Sequence, residues 1–278
     1  MCFRPKKYLG QNFLIDKNIQ KKIIEACGIT SWDTVLEIGA GRGELTRLIA
    51  EKTDKVFALE LDLNLCSILK KNIVDFPQIN PAPSTEERMD RRRCGVKIIN
   101  KDILRFNISR YFKDTPKIKV IGNLPYYITS PIIVHLFKFH DKIKNIFITV
   151  QKEFADRLVA TPGSSDWSAF SCFVQYYTEP KSLFLIKKTC FRPQPKVDSA
   201  LVRLSLKEKL PLDKKNQRRL FKVIRLSFQQ RRKTLKNALR GVISPERLEQ
   251  YFNQYSIDRN IRGEDLSLQD FISLINVK

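Results

Sequence analysis

The chain has 278 residues, 51 Lys and Arg against 29 Asp and Glu, and a formal charge of +22. With 42% hydrophobic residues and only 10 glycines, the composition excludes a disordered or collagen-like chain, and the length suits one large domain or two smaller ones. So large a positive charge opposes compaction, which makes a polyanion, with nucleic acid first, the expected partner.

Residues Met1 to Lys17 mix Arg4, Lys6, Lys7 and Asp16 among apolar positions and lack the apolar run of a secretory signal. The most apolar region, Val120 to Phe139, is interrupted by Asn123, two prolines and His135, so no membrane span is expected. The six cysteines (Cys2, Cys27, Cys66, Cys94, Cys172, Cys190) form no C-x-x-C pair and read as reduced thiols in a cytoplasm. His135 and His140 have no cysteine or carboxylate constellation around them, and no metal site is expected.

Short apolar runs rich in β-branched residues predict buried strands at Thr34–Ile38, Val56–Leu59, Val96–Ile99, Ile118–Ile121 and Ile146–Val150. Between them, helical periodicity marks Leu45–Lys52, Asn64–Val74 and Pro131–Phe139, the last with Ser130 as cap and Pro131 at the first helical position. This alternation predicts an α/β fold, a mostly parallel sheet with helices on both faces. Further strands are expected at Leu183–Ile186 and Ser199–Leu206.

Residues 75 to 95, Pro-rich and then strongly charged, read as a surface insertion carrying Arg91, Arg92 and Arg93. A domain boundary is expected near residue 207, dividing 1–206 from an all-helical 207–278. Within the latter, Lys214 to Arg240 holds eleven basic residues and no acid, beside an apolar face of Leu220, Phe221, Val223, Ile224, Phe228, Leu235, Ala238 and Leu239. That basic amphipathic helix pair suits phosphate contact.

The segment Glu37-Ile38-Gly39-Ala40-Gly41-Arg42-Gly43-Glu44 follows the first strand and opens a helix, where a glycine turn lets backbone N–H groups approach a nucleotide-like ligand. Its G-x-G-x-G spacing departs from the dinucleotide pattern, because residue 44 is Glu rather than Gly. Glu60 ends the second strand, where an acid can accept from a ribose diol, and Asp102 follows the third, placed for an adenine amino group. With Glu37, these acids are expected to converge on one crevice that favours a cationic adenosine cofactor over a phosphate-rich one. S-adenosylmethionine, a sulfonium, fits.

After the fourth strand comes Gly122-Asn123-Leu124-Pro125-Tyr126-Tyr127. An exocyclic amine conjugated with an aromatic ring is a poor nucleophile, because its lone pair is delocalised. The Asn123 side-chain oxygen and the Leu124 carbonyl can hold its two N–H bonds, with Pro125 fixing the turn and Tyr126 stacking on the base.

Together with Lys6-Lys7-Tyr8-Leu9-Gly10-Gln11-Asn12-Phe13-Leu14 and Phe191-Arg192-Pro193-Gln194-Pro195-Lys196-Val197-Asp198-Ser199, these motifs resemble the rRNA adenine N6,N6-dimethyltransferases over nearly the whole chain. The likeness is greatest to the bacterial small-subunit (16S) branch, the kasugamycin-resistance or dimethyladenosine transferase family, and Arg231 to Leu235 also looks like that branch. The resemblance implies a Rossmann-like class I methyltransferase sheet with an antiparallel last hairpin and a small helical domain. It implies that Gln11, Asn12 and Leu14 close over S-adenosylmethionine, that Gly39 and Gly41 shape its loop, and that Glu60, Asp102 and Asn123 bind it. It further implies that Tyr126 and Phe191 sandwich a flipped adenine.

The implied substrate is a pair of adjacent adenosines near the 3′ end of small-subunit rRNA in an assembling particle, and the default state is a monomer. The competing assignments are a large-subunit (23S) rRNA adenine methyltransferase of the macrolide-resistance type and a non-catalytic RNA-binding or assembly factor. Two departures from the family stand out: the insertion at 75 to 95, and Ala40 where relatives commonly carry proline.

Overall fold

A computed structural model describes residues 10–74, 95–230 and 232–277. Expectations resting on residues 1–9, on the insertion, on its arginine triplet and on Arg231 lie outside the described residues. The chain divides into two compact units, 1–155 with 181–206, and 156–180 with 207–278.

In the first unit the short strand β1 (Phe13–Leu14) leads into α1 (Lys17–Cys27). Asp16 caps this helix by accepting from the Asn18 and Ile19 N–H groups at 2.9 and 3.0 Å, and Gly28 ends it in the left-handed region. Then β2 (Val35–Ile38), α2 (Glu44–Ala50), β3 (Val56–Glu60), α3 (Leu63–Val74), β4 (Val96–Asn100), α4 (Ile108–Tyr111), β5 (Ile118–Asn123), α5 (Thr129–Phe137) and β6 (Ile143–Gln151) alternate. Helices α6 (Lys152–Val159) and α7 (Ala169–Tyr177) precede the strands β7 (Thr178–Ile186), β8 (Phe191–Arg192) and β9 (Ser199–Leu206).

The strand order β4-β3-β2-β5-β6-β9-β7 makes one seven-stranded sheet, and β1 pairs with β8 apart from it. The first five of these strands run parallel, and β9 is antiparallel to β6 from Asn145↔Ser205 to Gln151↔Ser199. All four residues of β2 and the first five of β5 are buried. A parallel strand covered by helices on both faces reads as an unbroken apolar run, which is why these strands were visible in the sequence. The buried Lys119 at the start of β5 donates from Nζ to the Gly28 and Cys27 carbonyls, at 2.5 and 3.2 Å, and pairs with Asp33 at 3.0 Å. It thereby satisfies carbonyls at the end of α1 that the helix leaves open.

Two expectations need correction. The helix at 131 begins earlier, at Thr129, because a 3-10 turn over Tyr126–Ile128 feeds directly into it; Ser130 lies inside the helix and the capping position falls on Ile128. The division of the chain is not a single cut near 207 either, since 156–180 belongs with the helices that follow 207.

In the second unit, Trp167, Cys172 and Tyr176 lie in one apolar core with residues of α8 (Lys214–Gln229), α9 (Leu235–Ala238), α10 (Pro245–Gln254) and α11 (Leu268–Asn276). The Trp167 indole N–H donates to the Leu266 carbonyl at 3.0 Å, so its polar edge is satisfied within that core. On α8, Leu220, Val223 and Ile224 are buried while Lys214, Lys215, Arg218, Lys222 and Arg225 are exposed, as helical periodicity requires. No helix among the described residues is long and apolar enough to cross a membrane.

Candidate active site

A cavity opens at the carboxyl ends of β2, β3, β4 and β5, where parallel sheets expose ligand sites. Its walls include Gln11, Asn12, Gly39, Gly41, Glu60, Asp102, Asn123, Leu124, Pro125 and Tyr126, ten of the residues singled out in the sequence.

The glycine loop is shaped for close approach. Gly39, Gly41 and Gly43 have φ of 72°, 60° and 95°, and a Cβ on Gly41 would stand 3.3 Å from the Phe13 ring. The loop is also fastened to β3, because Glu60 accepts from the Gly41 N–H at 2.9 Å through Oε2 and from the Asp62 N–H at 2.9 Å through Oε1. Burial pushes the Glu60 carboxyl pKa up, and the N–H groups of Asp62, Gly41 and Leu61 oppose that shift. Each carboxylate oxygen still has acceptor capacity for a diol. Ala40, noted as a departure from the family pattern, directs its N–H to the Leu59 carbonyl at 3.3 Å, a bond that proline has no hydrogen to make.

Glu37 departs from expectation. It does not line the cavity; it is buried beneath the loop and accepts from the Thr46 hydroxyl at 2.6 Å, tying β2 to α2. Burial, with smaller contributions from the Glu44 and Glu60 charges, pushes its pKa up to about 8. Asp102 lines the cavity, as expected, and also caps the 3-10 turn Ile103–Arg105 by accepting from the Leu104 N–H at 2.9 Å. Leu61 and Ile103 add apolar walls beside it. Neither was singled out in the sequence, although each directly follows a strand-end acid.

The turn after β5 is held rigidly. Gly122 lets the turn pack closely, because a Cβ there would stand 3.0 Å from the Ile38 carbonyl oxygen and 2.9 Å from a Leu124 methyl, and both neighbours would have to shift. The Leu124 N–H donates to the Thr149 carbonyl at 3.4 Å, and the Pro125 carbonyl accepts from the Ile128 N–H and the Thr129 hydroxyl, each at 3.2 Å. Asn123 donates from Nδ2 to the Asn12 carbonyl at 2.8 Å, which fixes the orientation of its amide. Among the described residues nothing donates to Asn123 Oδ1 or to the Leu124 carbonyl, so two acceptors of one turn stand ready for another molecule. The half-buried Tyr126 is anchored by a 2.6 Å hydrogen bond between its hydroxyl and Ser199, and burial raises its pKa, keeping the phenol neutral.

Leu14 and Phe191 are not brought to the cavity. They face each other across the β1–β8 pair, Leu14 at 4% and Phe191 at 3% exposure, in the core shared with α1 and β9. The Phe191 ring is enclosed by that core and is not among the cavity walls. Their position steadies β1, whose Leu14 carbonyl also accepts from buried Gln20 at 2.6 Å, and β1 in turn carries Asn12 and Phe13 to the cavity. Phe13 was overlooked as a wall residue; its ring lies 4.6 Å beneath the Arg42 guanidinium, a cation–π contact that covers the glycine loop.

A parallel sheet with an antiparallel last pair, a glycine turn tied to a strand-end acid and an Asn-Leu-Pro-Tyr turn define a Rossmann-like, S-adenosylmethionine-dependent methyltransferase. The donor fits what is built: three left-handed glycines, a buried acid for hydroxyls, and apolar walls beside Asp102 for a purine.

The family model described as ribosomal RNA adenine dimethylase matches residues 2–278. The chain is 42% identical over 98% of its length to a protein of Lachnoclostridium phytofermentans and 37% identical over 99% to one of Clostridioides difficile, covering 91% of each. Both relatives are named ribosomal RNA small subunit methyltransferase A. Among solved structures it is similar to a dimethyladenosine transferase from Plasmodium falciparum, with TM-score 0.77, 25% identity and 94% and 95% of the two chains covered. The 23S rRNA methyltransferase ErmE shares the fold, with TM-score 0.73 at 22% identity and 95% and 98% covered. The chain belongs to the ribosomal RNA adenine dimethylase family, and it is an S-adenosylmethionine-dependent rRNA adenine dimethyltransferase.

Proposed function

We propose that the chain methylates N6 of two adjacent adenosines near the 3′ end of 16S rRNA, giving N6,N6-dimethyladenosine during small-subunit biogenesis, and that it acts as a cytoplasmic monomer. The observation that carries the catalytic reading is a pair of acceptors, Asn123 Oδ1 and the Leu124 carbonyl, to which no described residue donates, in a turn whose Asn123 Nδ2, Leu124 N–H and Pro125 carbonyl are engaged. S-adenosylmethionine, when bound, supplies an electrophilic methyl group.

Glu60 takes the ribose hydroxyls, Asp102 with Leu61 and Ile103 the purine end, and Gln11 and Asn12 close the side formed by the N-terminal segment. Asn123 Oδ1 and the Leu124 carbonyl accept the two N–H bonds of the adenine amino group. Held so, the nitrogen lone pair turns out of conjugation with the ring and becomes nucleophilic. The proton that nitrogen sheds after alkylation is acidic enough to pass to water, so no general base is required. The Tyr126 ring stacks on the extruded base, a contact worth about 1–3 kcal/mol, and the Ser199 bond keeps that ring in place. Phe191 steadies the β1–β8 pair instead of forming a second stacking face.

Small-subunit rather than large-subunit rRNA is favoured by the relatives at 36–42% identity, which carry the small-subunit name. The test incubates the protein with labelled S-adenosylmethionine and, separately, unmodified small subunits, large-subunit rRNA and a bare oligonucleotide, then maps the label. Label on two adjacent adenosines of the small subunit is expected; label confined to large-subunit rRNA would overturn the assignment.

A further inference from the structure

Beside the cavity lies a second cleft, of about 530 Å³, lined by Lys101, Arg105, Phe106, Asn107, Arg110 and Tyr111. Lys101 belongs to the walls of both. From Lys97 to Tyr111 the chain holds four basic residues and one acid, Asp102, which is committed to the cavity and to the Leu104 N–H. Lys101, Arg105 and Arg110 are exposed, and among the described residues none of them is in an ion pair. Lys97 adds charge from β4, its ammonium lying 5.1 Å from the Tyr111 ring centroid.

These cations stand on a firm floor. Phe106 and Phe112 are buried, Phe57 meets Tyr111 and Phe112 edge-on at 5.7 and 4.9 Å, and His135 Nε2 bonds the Phe106 carbonyl at 2.9 Å. Asn107 accepts from the Arg110 N–H at 2.8 Å and sets the start of α4. Exposed like charges repel one another, and an anion held among them relieves that repulsion. Two guanidiniums beside a half-exposed tyrosine suit phosphate oxygens next to a sugar or base.

We propose that this cleft is a docking site for the RNA sugar–phosphate backbone, in which Arg105 and Arg110 each neutralise a phosphate and Lys101 carries the contact to the rim of the methyl-transfer cavity. The assignment rests on the reading of the small ribosomal particle as substrate. It concerns the catalytic unit itself and is separate from the basic face of α8.

The experiment measures binding of unmodified small subunits as a function of salt for the wild type, the double variant R105Q/R110Q and the charge-preserving R105K/R110K. Donor affinity is followed in parallel by calorimetry. The slope of log affinity against log salt should be less steep by about two in the glutamine variant, with donor affinity unchanged, and should return in the lysine variant. If the wild type binds and methylates the particle while the glutamine variant keeps the full slope, the cleft assignment is wrong and the substrate reading stands. If the lysine variant loses the slope as fully as the glutamine variant, the residues act through local structure and the assignment is equally wrong. A wild type that neither binds nor methylates the particle removes the substrate reading and this assignment with it.

Discussion

The cavity at the end of the parallel sheet and the basic face of α8 use polar groups in opposite ways. Around the cavity, Glu37, Glu60 and Asn123 are tied to a hydroxyl, to backbone N–H groups and to a backbone carbonyl, at 2.6 to 2.9 Å. On α8, by contrast, Lys214, Lys215, Arg218, Lys222 and Arg225 extend into solvent from a helix anchored by its apolar side. Chemistry on a weak nucleophile needs acceptors fixed before the substrate arrives, because reorganising them during reaction would cost the stabilisation they provide. Holding a polyanion needs only charge density and tolerates mobile side chains.

The contrast can be broken most forcefully at Asn123. Asn123→Ala should lower kcat by about 10²–10³-fold while particle affinity stays within a few-fold, as measured by single-turnover transfer and filter binding. A smaller effect is expected at Glu37. Its folded pKa of about 8 exceeds the ordinary 4.5, so between those values the folded chain keeps a proton that the unfolded chain has released. Stability therefore falls as pH rises through that window, by about 1.4 kcal/mol per pH unit at its steepest, and levels off above it. Glu37→Gln should flatten this part of the profile in urea unfolding; an unchanged slope would mean that another group is responsible. The smallest effect belongs to α8, where Arg218→Gln should make the salt dependence of particle binding less steep by about one and leave donor affinity untouched. A change in donor affinity would contradict the division of labour.

How much of this was legible beforehand follows from the range of the interactions. Strands β2 and β5 announced themselves because burial on both faces leaves a continuous apolar run, and Asn123 to Tyr126 because the whole turn is contiguous in sequence. The basic face of α8 was visible as charge at helical spacing. The tether of Asn123 to Asn12 was not, since it joins residues distant in sequence through a main-chain carbonyl, and such atoms have no signature in residue type. Glu37 looked like a cavity acid until its partner Thr46 was seen. Leu14 and Phe191 were placed at the cavity by resemblance alone, whereas their pairing in β1 and β8 turns both into core. Trp167 drew 156–180 into the helical unit through its core contacts and its bond to Leu266, which a linear reading ending one domain at 206 could not anticipate.

The central claim is that a tethered amide at the tip of β5 steers the adenine amino group. Asn123→Asp tests it most directly, because aspartate keeps the acceptors but, once ionised, cannot donate to the Asn12 carbonyl. Single-turnover transfer to unmodified small subunits should fall by about 10²-fold or more, with donor and particle affinities within a few-fold of wild type. Transfer at the wild-type rate would show that the tether is dispensable and would contradict the account.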